Sequence, residues 1–272
     1  MTTYTEFPTL PPAATVTMTL MTPTPVAPAE SVLARAVSLV RLFDTQHAVI
    51  GVSEAARRTG LAKSTAHRLL NELADLRVLE RTGGGFRLGL LLFELGALVP
   101  VHHSLATVAR PVMTDLRDTT KGRIHLAVLD GTEVVYVDIV GEARTAIASR
   151  VGGRLPAHTT GVGKVILAYS PAATVDGVLK TGLPRITPRT LHTPGALLRE
   201  LEQIRHEGQG YDREESHPGI SCVAAPIFDS EGGVIAGISI TGPTRLIDPN
   251  VMGLAVRTAA RTISRQIGAA QA

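Results

Sequence analysis

The chain has 272 residues, 44% hydrophobic and 19% charged, with a formal net charge of +3. That is a globular composition with room for two cores, and it excludes fibrous, collagen-like and strongly charged disordered classes. Cys222 is the only cysteine, so neither an intrachain disulfide nor a cysteine-built zinc site can form, and a reducing cytoplasm is the expected compartment.

Residues 1–30 are rich in Thr, Pro and Ala, with no charged side chain between Phe7 and Ala29. Pro8, Pro11, Pro12, Pro23, Pro25 and Pro28 would break any helix laid across a bilayer, so a disordered tail is expected instead of a membrane span or a secretory signal. The first predicted helix covers 32–43 and would set Val32, Ala36, Leu39, Val40 and Phe43 against a small core.

Residues 52–70, V-S-E-A-A-R-R-T-G-L-A-K-S-T-A-H-R-L-L, have the spacing of a helix-turn-helix. A helix ends at Thr59, Gly60 suits the left-handed position that opens a tight turn, and Leu61 is expected beneath that turn. In the second helix Ala66, Leu69, Leu70, Leu73 and Leu76 recur on an inward face. The outward face carries Ser64, Arg68 and Asn71, with Lys63, Thr65 and His67 near its amino end, which is base-edge and phosphate chemistry. Two amphipathic helices around a glycine also occur without DNA, but the next segment favours the nucleic-acid reading. Strands at 78–81 and 86–88 around Gly83, Gly84 and Gly85 form a small hairpin, a wing, with Arg81 and Arg87 placed for phosphates. Over 31–89 there are nine Lys or Arg against five acids, so the positive charge is concentrated in this winged helix-turn-helix.

Residues 90–121 are expected to be a helical linker, its second half striped by Leu105, Val108, Ala109, Val112 and Leu116. Beyond it, 122–272 reads as a second domain. Strand-like runs at 124–128 and 134–140 flank an Asp130-Gly131 turn, and a second pair at 222–228 and 234–241 flanks 229–233. Helices are predicted near 162–169, 171–179, 197–207 and 249–267. The fold class is therefore α+β: an N-terminal winged helix-turn-helix, a helical linker and an antiparallel-sheet domain with flanking helices.

Several residues invite chemistry and are better explained without it. Lys164 follows a glycine-rich stretch, but His158 and Val165 stand where a phosphate-binding loop needs Gly and Ser or Thr. Cys222 with His158 or His125 could suggest a thiol nucleophile, yet a lone cysteine in C-V-A-A-P-I reads as a buried apolar residue. His125 reads as a hydrogen-bonded core or rim residue, and His102 and His103 as solvated. Asp212, Glu214 and Glu215 read as a solvated loop end, and Arg144 as exposed on a sheet edge.

In this order of parts the chain resembles the IclR family of bacterial transcriptional regulators over roughly 31–267. S-T-A-H-R-L-L (64–70) and G-F-R-L-G (85–89) are similar to its recognition helix and wing. V-G-G-R-L-P-A-H-T-T-G-V-G-K (151–164), D-R-E-E-S-H-P-G-I-S-C-V-A-A-P-I-F-D (212–229) and I-S-I-T-G-P (238–243) resemble stretches of its second domain. Ala66 departs from it, since a larger branched residue is usual there. The resemblance implies a homodimer or dimer of dimers that binds double-stranded operator DNA and senses a small organic or aromatic acid in a GAF-like domain. Carried across, Ile147, Leu155, Gly161, Val162, Asp212, Cys222, Ser239 and Thr241 would surround the effector. Gly161 and Val162 open a helix whose N–H groups favour a carboxylate, Ser239 and Thr241 share one strand face, and Ile147 and Leu155 would form an apolar wall. No catalytic residue, metal, cofactor or membrane contact is expected. The alternative is a small-molecule sensor or enzyme whose winged helix binds protein instead of DNA.

Overall fold

Ser31 starts the first helix: its Oγ accepts the Ala34 N–H at 3.1 Å, and α1 (Val32–Val40) follows. The computed structural model describes residues 31–99, 105–142 and 149–271, and the chain divides into two units between Leu95 and Gly96. The expected Ile147 and Arg144, His102 and His103, and the tail 1–30 lie outside the described residues.

In the first unit α2 (Val52–Thr59) ends at Gly60, whose φ of 73° is the left-handed value anticipated for the turn. Helix α3 (Lys63–Asp75) follows. The hairpin pairs β1 (Leu79–Thr82) with β2 (Gly85–Leu88), opposing Leu79 to Leu88, Glu80 to Arg87 and Arg81 to Phe86. Ile50 extends this hairpin by bridging to Phe86. Leu39, Ile50, Ala55, Leu69, Leu70, Leu79 and Phe86 fill the core, and Ala66 is fully buried among them. The last helix here is α4 (Leu90–Ala97), which buries none of its residues.

Three expectations for this unit change. The first helix stops at Val40, and Val32 is 52% exposed because it sits in the opening turn, beyond the reach of the core. Leu76 is 66% exposed because α3 ends at Asp75, so the helical spacing that would turn Leu76 inward no longer applies. Leu61 is only partly buried, packed against the core's edge.

The second unit is a six-stranded antiparallel sheet in the order β5-β4-β3-β8-β7-β6. The anticipated hairpins are β3 (Arg123–Asp130) with β4 (Glu133–Val140) and β7 (Ile220–Phe228) with β8 (Val234–Pro243). Two short edge strands, β5 (Arg154–Pro156) and β6 (Gly210–Arg213), were not anticipated, because three or four residues carry too little alternation to read. On one face α5 (Thr107–Thr120) and α9 (Pro249–Gln271) cover Ile124, Leu126, Val223, Ile238 and Ile240. Helix α5 thus belongs to this core through Ala109, Met113 and Leu116. On the other face lie α6 (Gly161–Tyr169), α7 (Ala172–Lys180) and α8 (Pro194–Glu207), packed through Val162, Val165, Val178, Leu197 and Leu201. Among the described residues no helix is long and apolar enough to cross a membrane.

Candidate functional site

In the first unit, the four buried side chains of α3 fix which of its residues face solvent. Lys63, Ser64, His67 and Arg68 are exposed, while Thr65 and Asn71 are half-buried. No side chain caps the amino end of α3, so its first N–H groups and the Lys63 ammonium together make an electropositive edge. Asn71 is pinned: its Nδ2 donates to the His67 carbonyl at 2.9 Å, and its Oδ1 accepts Arg81 Nε at 3.0 Å. Arg81 also reaches Asp75 at 2.7 Å, Arg68 pairs with Glu72 at 3.0 Å, and Arg87 with Glu80 at 2.6 Å. Cross-strand pairing puts Arg81 on the hairpin face that buries Phe86 and Arg87 on the opposite face. These exposed pairs are weak in water, so a phosphate can displace the acid at little cost.

In the second unit, one sheet face carries a polar row set by register. Arg123 pairs with Thr241, Thr241 with Cys222, and Cys222 with Asp212; one step along, His125 pairs with Ser239 and Ser239 with Ala224. Helix α6 lies directly over this row. A Cβ added to Gly161 would stand 2.6 Å from Cys222 Sγ and 3.4 Å from the Asp212 nitrogen, so only glycine permits the approach. Gly161, Asp212, Cys222, Ser239 and Thr241 are therefore together. Val162 turns its side chain into the apolar core. Leu155 sits apart in the register, opposite Val134 and hence beside Leu129, six residues along β3 from Arg123; it packs on the apolar cluster instead.

His125 bridges the row, its Nδ1 3.0 Å from Thr241 Oγ1 and its Nε2 2.8 Å from Ser149 Oγ. Burial, reinforced by the nearby Arg123 charge, pulls its pKa down to about 3, so the ring is neutral and, as expected, a hydrogen-bonded core group. Burial also pushes the Cys222 thiol up to about 12 and raises Tyr136, leaving both protonated. A protonated thiol is a poor nucleophile, and His125 spends both ring nitrogens elsewhere. Among the described residues no three His, Cys, Asp or Glu side chains gather as a metal cluster.

Two members of the acidic cluster, Asp212 and Glu215, are not at a solvated loop end, whereas Glu214 stays part-exposed. Asp212 and Glu215 are each only 3% exposed. Asp212 caps its own loop: Oδ1 accepts the N–H groups of Glu215 at 2.6 Å and Ser216 at 3.3 Å, and Oδ2 accepts the Ser216 hydroxyl at 2.5 Å. Glu215 meets Lys164, which is completely buried, with Nζ 2.6 Å from its Oε1 and 3.2 Å from Glu200 Oε1. Lys164, which fails the spacing of a phosphate-binding loop, thus serves a buried ion pair, and no sequence pattern singles out Glu200 or Arg123, although Arg123 stands two residues before His125 and so shares its strand face.

Models of two domains match the chain: the helix-turn-helix domain of IclR over 32–83, and the bacterial transcriptional regulator IclR C-terminal domain over 98–265. The chain belongs to the IclR family. It is a transcriptional regulator with a DNA-binding helix-turn-helix, as are its relatives. The Escherichia coli K12 regulator KdgR is 38% identical over 229 residues, covering 80% of this chain and 86% of KdgR. The repressor AllR of the same strain is 32% identical over 243 residues, covering 87% of this chain and 90% of AllR. Among solved structures, an IclR homolog of Microbacterium hydrocarbonoxydans complexed with 4-hydroxybenzoate has a TM-score of 0.81 at 32% identity, covering 88% of this chain and all of its own. The Thermotoga maritima IclR structure has a TM-score of 0.70 at 31% identity, over 87% of this chain and 98% of that one. This IclR-family chain thus pairs an electropositive helix with a buried polar row in a separate unit.

Proposed function

We propose that this protein is an effector-controlled regulator without enzymatic activity, working in the cytoplasm, whose grip on operator DNA is set by a small organic or aromatic acid. The observation that carries the effector half is the polar row of His125, Ser239, Thr241 and Cys222 against the Gly161 end of α6. Groups that are polar, neutral and buried suit a small ligand better than they suit catalysis. The 4-hydroxybenzoate bound to the Microbacterium hydrocarbonoxydans homolog supports the acid class.

In this proposal residues 31–89 are the DNA-binding domain, with Lys63, Ser64, Thr65, His67, Arg68 and Asn71 entering the major groove and Arg81 and Arg87 holding flanking phosphates. Residues 90–121 link it to an effector domain over 122–272. The working form is a homodimer or dimer of dimers, since two winged helices must meet two half-sites. The exposed Leu90, Phe93 and Leu95 of α4 supply an apolar surface for such pairing. Effector binding changes the spacing of the paired winged helices and thereby the operator affinity.

Footprinting of the DNA upstream of the protein's own gene, with and without a panel of organic and aromatic acids, tests this. A protected site that shifts or vanishes with one acid is the expected result. Absence of protection at low salt refutes the operator reading and favours a winged helix that binds protein.

A further inference from the structure

We propose that Arg123 is the carboxylate receptor of the effector site, so that the effector is a small organic acid whose anion docks on this guanidinium. This rests on the effector-controlled reading above and narrows it to one ligand chemistry and one anchoring residue.

Register carries the first step. Arg123 lies on the same sheet face as His125 and directly opposite Thr241, whose other neighbour is Cys222. Its Nη2 donates to the Ser149 carbonyl at 3.0 Å, and that is where its internal bonding ends. Nε and Nη1 are both shielded from solvent and both without a partner among the described residues. A guanidinium offers five N–H donors in a planar fork, and buried donors left unpaired are costly, so a missing acceptor is the economical explanation. Burial pulls its pKa below the usual arginine value.

The surroundings say which acceptor. His125 is neutral, and the Cys222 thiol and the Tyr136 phenol stay protonated. Asp212 is the acid of the row, but both of its oxygens are already spent on Glu215 and Ser216. Arg123 is therefore left as a positive charge with unused donors and no carboxylate to pair with among the described residues. A ligand carboxylate matches the fork in shape and charge.

The competing anchor, the amino end of α6, is capped in part: the Gly163 N–H is accepted by Thr160 Oγ1 at 3.0 Å. A helix end offers a partial charge and single N–H donors, whereas the guanidinium offers a full charge and a planar fork, so the carboxylate is assigned to Arg123. The hydroxyls of Ser239 and Thr241, 3.4 Å apart, then meet the uncharged part of the ligand.

The test is calorimetric titration of the full chain with benzoate, 4-hydroxybenzoate and pyruvate, each beside its uncharged amide. At least one acid should bind, and its amide should bind about 10- to 100-fold more weakly, the worth of a charge-assisted hydrogen bond. Arg123→Met should lose a similar factor for the acid and cease to distinguish acid from amide, whereas Arg123→Lys should retain part of the preference. Both variants should still retard upstream DNA in the absence of ligand. The proposal is overturned if acid and amide bind the unmodified chain equally, if no acid binds, or if Arg123→Met binds the acid unchanged. The acid-to-amide comparison needs no variant, so it stands even if Arg123→Met fails to fold. Failure of the unmodified chain to retard DNA at low salt would instead strike the regulator reading.

Discussion

Replacing Lys164 by methionine removes an ammonium that no water reaches and leaves its partners behind. Lys164 is 0% exposed, Glu215 only 5% at its side chain, and their 2.6 Å contact is the shorter of the two that Lys164 makes. Glu200 keeps a second cation, Arg213 at 3.6 Å, but Glu215 keeps only the Arg213 N–H at 3.3 Å, and its Oε2 has no partner already. Breaking a buried pair from one side costs about 3–5 kcal/mol, most of it the stranded charge. The Glu215 carboxyl is already held above its ordinary value of 4.5 by burial, which outweighs the opposing Lys164 charge. Without the ammonium it rises further. A carboxyl with a raised folded pKa loses stability as pH climbs above the unfolded value, because the folded state holds a proton that the unfolded chain releases. The deficit of Lys164→Met should therefore be largest near neutral pH and shrink as pH falls toward the glutamate range. Urea denaturation at about pH 7.5 and about pH 5 reads both quantities. Adding Glu215→Gln should restore most of the loss, since removing both charges spares the penalty of either alone. A neutral-pH loss under about 1 kcal/mol, or a double variant no better than the single one, would refute the stranded-charge account.

Arg68→Ala should weaken operator binding by about 1–3 kcal/mol while leaving the melting temperature unchanged, because among the described residues its guanidinium pairs with just the exposed Glu72. Unchanged affinity in a gel-shift titration would remove Arg68 from the contacts. Gly161→Val should push α6 off the sheet through Cys222 Sγ, 2.6 Å from the added Cβ, at about 1–3 kcal/mol by thermal melting, and should abolish effector binding while sparing DNA binding. Wild-type stability and ligand response in that variant would contradict the close approach. His125, with its pKa pulled down to about 3, should show no imidazole titration by NMR between about pH 5 and 8. Since its folded value is depressed from 6.5, its contribution is intact above that value and is lost as pH falls toward 3; a midpoint near 6.5 in the folded protein would contradict the buried, neutral ring.

The two units differ in how much of them was legible. The helix-turn-helix could be read almost residue by residue, since its information is local: Gly60 at the turn, leucines three and four apart in α3, glycines at the wing tip. Its errors fall at helix ends, where a spacing rule cannot say which turn is the last. Leu76 obeyed the period and still points to solvent. The hairpins of the sheet were equally visible, each as alternation around a turn. The short strands β5 and β6 were not, because they exist only as partners of β4 and β7.

For the candidate site, the sequence by itself determined the ingredients: Ser239 and Thr241 alternating on one strand, a glycine-led helix at Gly161, and a lone cysteine in an apolar run. Which of these meet was decided by tertiary structure alone. Lys164 and Glu215 are 51 positions apart, and His125 and Thr241 are 116 apart, so no local pattern could say that one pair forms a buried ion pair and the other a hydrogen bond. Two of the acids that read as a solvated cluster, Asp212 and Glu215, become part of a capped, buried loop once α6 covers them. The physical reason is that backbone preference and periodicity act over a few residues, whereas desolvation, which keeps His125 and Cys222 neutral, raises the Glu215 carboxyl and leaves Arg123 short of an acceptor, depends on everything packed around them.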